Sequence, residues 1–208
     1  MRLQNQLLQR SIKRNDPEAF APERVVKMVS QFERQIDRIM RLVEDMLDIS
    51  RIATGRLTIT RERMDLCELA KELGDRFGHL FREQGADLTV SCEGKVEGSW
   101  DHFRIEQVVS NLLTNALRYA PGAKVALTVT AEGGMAALTV KDSGPGILPE
   151  IQERIFQKFE RGTASANQSG LGLGLFIVRS IVEMHEGSVG VESEPGKGAA
   201  FTVRLPLA

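Results

Sequence analysis

Three polar residues stand out for their type and spacing: Asn111, Asn115 and Arg118. At i, i+4 and i+7 they share one face of a helix, with Tyr119 at its edge. Asparagine is a mediocre helix former, so two of them on a merely solvated face gain nothing. An amide oxygen is a neutral ligand for a hard cation, and a guanidinium meets phosphate oxygens. A solvated polar face remains the other reading of this helix taken alone. Asp142-Ser143-Gly144-Pro145-Gly146 comes next. Its two glycines allow a sharp turn and close approach to a ligand. A carboxylate at a strand end there can accept a hydrogen bond from an exocyclic amine such as that of adenine; a plain turn is the alternative. Gly170-Leu171-Gly172-Leu173-Gly174-Leu175 then runs into a helix. Alternating glycines free backbone N–H groups beside a helix N-terminus, which is an anion site. No strand precedes Gly170, as a dinucleotide fingerprint requires, and no Gly-Lys-Ser/Thr follows, as a Walker loop requires. Any phosphate would be held by backbone and not by a loop lysine.

The elements that position these residues follow from periodicity. Residues 101–119 read as a helix with Asp101 as N-cap and Ile105, Val108, Val109, Leu112 and Ala116 as its buried stripe. Residues 124–130 and 135–140 read as strands around the hairpin signal Glu132-Gly133-Gly134. Helices are expected over 65–81, 149–159 and 173–185, and strands over 57–59, 87–92, 188–191 and 199–205. Gly196-Lys197-Gly198 reads as a tight turn into the last strand. Residues 162–169, rich in Thr, Ala, Ser, Asn and Gln, lack anchoring side chains and are expected to be mobile.

The front of the chain differs. Residues 1–64 hold one glycine, Gly55, and residues 65–208 hold eighteen. Residues 2–14 read as the last turns of a helix, Asn15-Asp16-Pro17 as a turn, and Pro22 as the first turn of a second helix. In that helix Val25, Val29, Phe32, Ile36, Ile39, Val43 and Met46 form a heptad seam, widened by Met40 and Leu47. So wide a seam suits a bundle, so a dimer forming four helices is expected. The 208 residues carry 27 basic and 28 acidic side chains, net charge −1. That balance argues against nucleic-acid binding by bulk electrostatics. No apolar run reaches the roughly 18–20 residues of a membrane span, and no signal-peptide pattern appears. Two cysteines without metal or disulfide spacing fit a reducing compartment, so a cytoplasmic location is expected.

In order and spacing, Asn111 and Asn115, then Asp142-x-Gly144-x-Gly146, then Phe156 and Phe159, then Gly170-x-Gly172-x-Gly174 resemble the N box, first glycine box, phenylalanine box and second glycine box of sensor histidine kinases. Gyrase, Hsp90-type chaperones and MutL share that superfamily. Arg34-Gln35-Ile36-Asp37-Arg38 and Leu42-Val43-Glu44-Asp45-Met46-Leu47-Asp48-Ile49-Ser50-Arg51 resemble the second helix of the kinase dimerisation and histidine-phosphotransfer domain. The resemblance covers nearly the whole chain.

The resemblance implies an α+β chain: residues 1–55, a helical hairpin fragment of a dimeric four-helix bundle, followed by residues 56–208, an α/β-sandwich ATP-binding domain of Bergerat type with three helices on a mixed sheet. It implies ATP and Mg2+ as cofactors, with Asn115 on the metal, Asn111 beside it and Arg118 on phosphate. Tyr119 would pack near the nucleotide, Asp142 would read the adenine amine, and Gly144, Gly146 and Ile147 would line the base pocket. Residues 161–173 would form a lid hinged near Phe159, and Arg161, Gly170, Leu171, Gly172, Leu173, Gly174 and Leu175 would complete the nucleotide contacts. The implied reaction passes the γ-phosphoryl of Mg-ATP to a histidine on the dimerisation helices, for relay to a response regulator receiver domain. The implied assembly is a homodimer through Val29–Met46, with any membrane attachment through sensor segments outside this chain, such as an anchor in the inner membrane.

One departure and one substitution bear on mechanism. Residues 1–14 contain no histidine, and by alignment the chain begins about one helical segment after the family's phosphoacceptor. A truncated piece is expected, able to bind ATP but not to phosphorylate itself. His79, His102 and His185 are expected to be structural or solvated. Hydrolysing relatives carry a glutamate where Asn111 stands; an amide cannot act as that base at neutral pH, so slow hydrolysis and transfer to a protein nucleophile are expected. An anti-sigma-type serine kinase is the alternative reading; such proteins resemble residues 101–205 but usually lack the heptad helix ending in Asp48-Ile49-Ser50-Arg51. A scaffold with a dead nucleotide site is a third.

Overall fold

The computed structural model describes residues 21–160 and 171–207. The helix expected over 2–14 and the turn after it lie outside the described residues. The chain divides into two compact units between Leu47 and Asp48, within helix α1 (Pro22–Ala53). Up to Leu47, α1 carries the heptad stripe openly: Val29, Phe32, Ile36, Ile39, Val43 and Met46 are all exposed.

The second unit begins with the last turns of α1. It continues with β1 (Glu62–Asp65), α2 (Leu66–Glu83), β2 (Asp87–Cys92), β3 (Glu97–Trp100), α3 (His102–Tyr119), β4 (Lys124–Glu132) and β5 (Met135–Asp142). Then come α4 (Pro149–Gln152), a 3-10 turn (Arg154–Phe156), α5 (Gly174–Met184), β6 (Ser188–Ser193) and β7 (Ala199–Pro206). Five strands form one mixed sheet in the order β2-β4-β5-β7-β6. The β2–β4 pair is parallel and the others antiparallel. β1 and β3 make a separate antiparallel pair.

Period-2 alternation makes the sheet one-sided. Val125, Leu127 and Val129 on β4, Ala136, Leu138 and Val140 on β5, and Phe201, Val203 and Leu205 on β7 are buried. Their core continues into Leu69, Leu73 and Phe77 of α2, Ile105, Val109 and Leu112 of α3, and Ile177, Val178 and Ile181 of α5. Each such side chain contributes on the order of 1.5–3 kcal/mol when fully buried. The result is the expected sandwich of three helices on a mixed sheet.

The starts of α2 and α3 are fixed by carboxylates. Asp65 Oδ1 accepts from the Cys67 N–H at 2.9 Å and the Val96 N–H at 3.2 Å, capping α2 and tying it to the loop before β3. Asp101 Oδ1 accepts from the Arg104 N–H at 3.0 Å, the cap expected for α3. Burial, reinforced by Cys92, pushes the Cys67 thiol up to about 12, so it packs as a neutral group.

Three local expectations need correcting. Residues 57–59 are not a strand: Leu57 is buried and Ile59 half-buried, but they pair with no strand. The strands Glu62–Asp65 and Glu97–Trp100 stand where none was expected. Residues 149–159 are not one helix: α4 gives way to the 3-10 turn, and Phe159 adopts φ 64°.

Candidate functional site

Asn111, on the polar stripe of α3, faces the start of α5. Asn111 Oδ1 lies 3.6 Å from where a Cβ on Gly174 would stand. Asn111 Nδ2 is a buried amide nitrogen with no hydrogen-bond partner, the single such side-chain atom among the described residues. A buried donor left unmade costs about 1–3 kcal/mol, so its persistence points to a ligand acceptor. Asn115 is half-buried and Arg118 exposed, each further along the same helix.

The first glycine loop leaves β5 at Asp142. Asp142 Oδ1 accepts from the Gly144 N–H at 2.8 Å. Burial raises the Asp142 pKa above 3.8, opposed by the amides of Gly144 and Ala199. Gly144 packs against Ala120 just beyond the end of α3, so a side chain there has no room. Gly146 has φ 73°, and a Cβ would collide with the Glu194 carbonyl. An open depression of ≈ 630 Å³ is lined by Tyr119, Ala120, Lys124, Ser143, Gly144 and Pro145 among others. Tyr119 and Gly144 thus meet at one cavity, while Asn111, Asn115 and Asp142 do not line it.

The second glycine run is anchored at Gly172. Its φ is 68°, its carbonyl accepts from the Phe159 N–H at 3.0 Å, and a Cβ would strike the Glu160 carbonyl. Phe159 is 65% exposed despite its size. Leu173 is buried ahead of α5, while Leu171, Gly174 and Leu175 are half-buried. Lys158 Nζ sits 4.8 Å from the Phe176 ring centroid, bracing the same junction. Arg161, Gly170 and all of the lid expected over 161–173 except its last three residues lie outside the described residues.

Two groups at the site gave no sequence signal. Arg104 Nη1 donates to both oxygens of Asp48 at 3.0 and 3.1 Å and to Gln107 Oε1 at 2.9 Å; Gln107 Nε2 donates to Asp48 Oδ2 at 2.7 Å. This buried cluster occupies the α3 stripe below Asn111, and its partners lie 56 residues apart. The second group is Gln152 and Ser193, which hold the first glycine loop from outside it. A helix bearing a buried unpartnered amide, a carboxylate at a strand end and two glycine turns, all on a one-sided α/β sandwich, define an ATP-binding domain of Bergerat type.

Comparison with known proteins agrees. Residues 100–208 match the family described as "Histidine kinase-, DNA gyrase B-, and HSP90-like ATPase". The chain belongs to this family. Sensor protein SrrB of Staphylococcus aureus (strain N315) is 32% identical over 188 residues, 89% of this chain and 32% of SrrB. The chain therefore spans about a third of the length of the curated relatives it matches. Full-length ShkA, solved in complex with AMPPNP, superposes with TM-score 0.77 at 27% identity over 90% of this chain and 40% of ShkA. The catalytic domain of histidine kinase ThkA superposes with TM-score 0.64 at 28% identity over 71% of this chain and 96% of its own. ThkA solved with response regulator protein TrrA shares the fold, at 23% identity and TM-score 0.69 over 97% of this chain and 57% of that one. These relatives place the chain with the catalytic ATP-binding domains of sensor histidine kinases.

Proposed function

We propose that this chain binds Mg-ATP and transfers its γ-phosphoryl to a histidine on the dimerisation helices of its own protein, for relay to a response regulator. The observation that carries the reading is the buried, partnerless Nδ2 of Asn111, whose side-chain amide faces Gly174 at the start of α5. A nucleotide phosphate oxygen or its bound water is the acceptor that position calls for.

In this reading Asn115 and Asn111 hold magnesium and the phosphates, and Arg118 adds a guanidinium to them. The amide oxygens suit a hard cation, which when bound would supply charge neutralisation on the phosphates. Tyr119 packs near the nucleotide, the Asp142 carboxylate accepts from the adenine amine, and Gly144, Gly146 and Ile147 form the base pocket. Gly170 to Leu175 offer backbone N–H groups to the phosphates, Arg161 adds to them, and Phe159 with Gly172 serves as the lid hinge. Asn111 cannot take a proton from water, so hydrolysis is slow and positioning does most of the catalytic work.

Residues 1–55 are the dimerisation part in this proposal and 56–208 the catalytic part. The exposed stripe from Val29 to Met46 supports a homodimer, since a monomer rarely leaves so long an apolar row open. A response regulator receiver domain is the proposed recipient, and ThkA, of the same fold, has been solved with response regulator protein TrrA. Among the described residues no helix is long and apolar enough to cross a membrane; a cytoplasmic site of action is proposed. The test is phosphotransfer from Mg-ATP to a separately supplied phosphoacceptor helix. Label on its histidine supports the reading; ATP binding without any transfer would remove the kinase assignment.

A further inference from the structure

The first glycine loop is held in shape by a latch that carries none of the family's nucleotide motifs. Ser193, at the end of β6, accepts from the Ile147 N–H at 2.8 Å and donates to the Gly198 carbonyl at 2.6 Å. Its hydroxyl is therefore used as donor and acceptor at once. Gln152, on α4, donates through Nε2 to the Ile147 carbonyl at 3.0 Å and to the Ser193 carbonyl at 2.8 Å. Ile147 is thus gripped at both its N–H and its C=O.

The β6–β7 turn completes the grip. The Gly196 N–H donates to the Pro145 carbonyl at 2.7 Å. Gly146 and Gly198, both in the left-handed region, let the loop and the turn interdigitate: a Cβ on Gly146 would strike Glu194, and one on Gly198 would strike Asp142. A loop with two glycines is otherwise expensive to order, at roughly 1–2 kcal/mol per residue fixed. Bonds to a neighbouring turn fix it before any ligand arrives, which is how preorganisation raises affinity.

We propose that Ser193, assisted by Gln152, is a positioning residue for base recognition: it presets the Asp142–Ile147 loop so that the purine meets a formed pocket. This rests on the nucleotide reading above. Neither residue touches the ligand; each acts through Ile147.

The test compares the chain with its Ser193→Ala, Ser193→Thr and Gln152→Ala variants. Calorimetry with Mg-ATP and Mg-GTP gives the ATP preference, and amide exchange gives the protection of Ile147 without nucleotide. Ser193→Ala is expected to weaken ATP binding about tenfold, to lower the ATP-to-GTP preference, and to speed exchange at Ile147. Ser193→Thr keeps the hydroxyl and is expected to restore all three. Gln152→Ala, which leaves Ser193 in place, is expected to act in the same direction and serves if Ser193→Ala does not fold. A residue that only stabilised the fold would lower the melting temperature and weaken both nucleotides equally. An unchanged preference with Ile147 still protected overturns the positioning role and leaves the site reading intact. Failure of the unmodified chain to bind either nucleotide removes the site reading, and the positioning role with it.

Discussion

The side-chain oxygen of Asn111 lies 3.6 Å from the place a Cβ on Gly174 would occupy. The separation is ordinary van der Waals contact, so an alanine fits without moving anything. Gly174 opens α5 without a left-handed φ, and glycine there costs conformational entropy. Gly174→Ala is therefore expected to leave stability unchanged or raise it by up to about 1 kcal/mol. The added methyl closes space over the Asn111 amide, so Mg-ATP affinity should fall at least about tenfold. Calorimetry beside thermal melting checks the divergence; parallel losses in both would mean the glycine serves packing alone.

Asn115 should matter for the metal more than for the fold. It is half-buried and shares the Asn111 face of α3. Asn115→Ala is expected to abolish magnesium-dependent ATP binding while shifting stability by less than about 1 kcal/mol. Titration of ATP with and without magnesium decides it, and undiminished binding would take the metal away from Asn115.

Asp142 Oδ1 accepts from the Gly144 N–H, and the Ala199 amide also acts on the carboxylate. Asp142→Asn keeps the first bond through its amide oxygen and turns the second position into a donor. ATP, which offers an amine there, should bind about 10–100-fold more weakly, while a purine carrying a carbonyl gains a partner. Competition between ATP and GTP measures this, and a variant that still prefers ATP would show that Asp142 does not read the base.

What was legible in the sequence and what was not divides along physical lines. The caps Asp101 and the stripe from Ile105 to Ala116 act within a few residues, so α3 was readable to its ends. The strands β4, β5 and β7 alternate cleanly because one face is buried. Glu62–Asp65 and Glu97–Trp100 are four residues each and pair only with one another, leaving no alternation to see. Leu57 and Ile59 alternate for burial without a partner strand. The break in 149–159 is set by the tertiary bond between the Phe159 N–H and Gly172. Nucleotide motifs were visible because glycine and asparagine are unusual where they stand. The Ser193 and Gln152 latch was not, because a serine ending a strand is common and its partners come from distant loops.

His185 predicts a pH dependence of stability. It is fully buried; its Nε2 accepts from the Asp101 N–H at 3.0 Å and its Nδ1–H donates to the Ile181 carbonyl at 2.8 Å. Asp101 Oδ2 in turn accepts from the Thr60 N–H at 2.8 Å. The ring is therefore neutral and joins the start of α3 to the end of α5. Burial holds its pKa below 6.5, with Arg61 adding to that and the Ile181 carbonyl and Asp101 opposing it. The unfolded chain takes up the proton first as pH falls, so the stabilisation is complete above about pH 6.5 and is lost progressively below it. Urea unfolding between about pH 5 and 8 should show that slope, and His185→Gln should flatten it. A slope that survives the substitution would assign it to other groups.

Arg104 and Asp48 form a buried pair within the unit that runs from Asp48 to Ala208, with side chains only 10% and 7% exposed. Removing one partner strands the other charge away from water. Asp48→Ala is therefore expected to cost about 3–5 kcal/mol, since the Arg104 guanidinium keeps Gln107 and the Phe103 ring but loses its counter-charge. Replacing both, as Asp48→Leu with Arg104→Met, removes the desolvated charges together and should cost far less than the single change. Because Arg104 and Gln107 lie on the α3 face that continues to Asn111 and Asn115, the single variant should also weaken ATP binding, and the double variant should recover much of it. Urea unfolding and nucleotide titration of the three variants test this. Single and double losses that simply add would show that the two charges do not depend on each other.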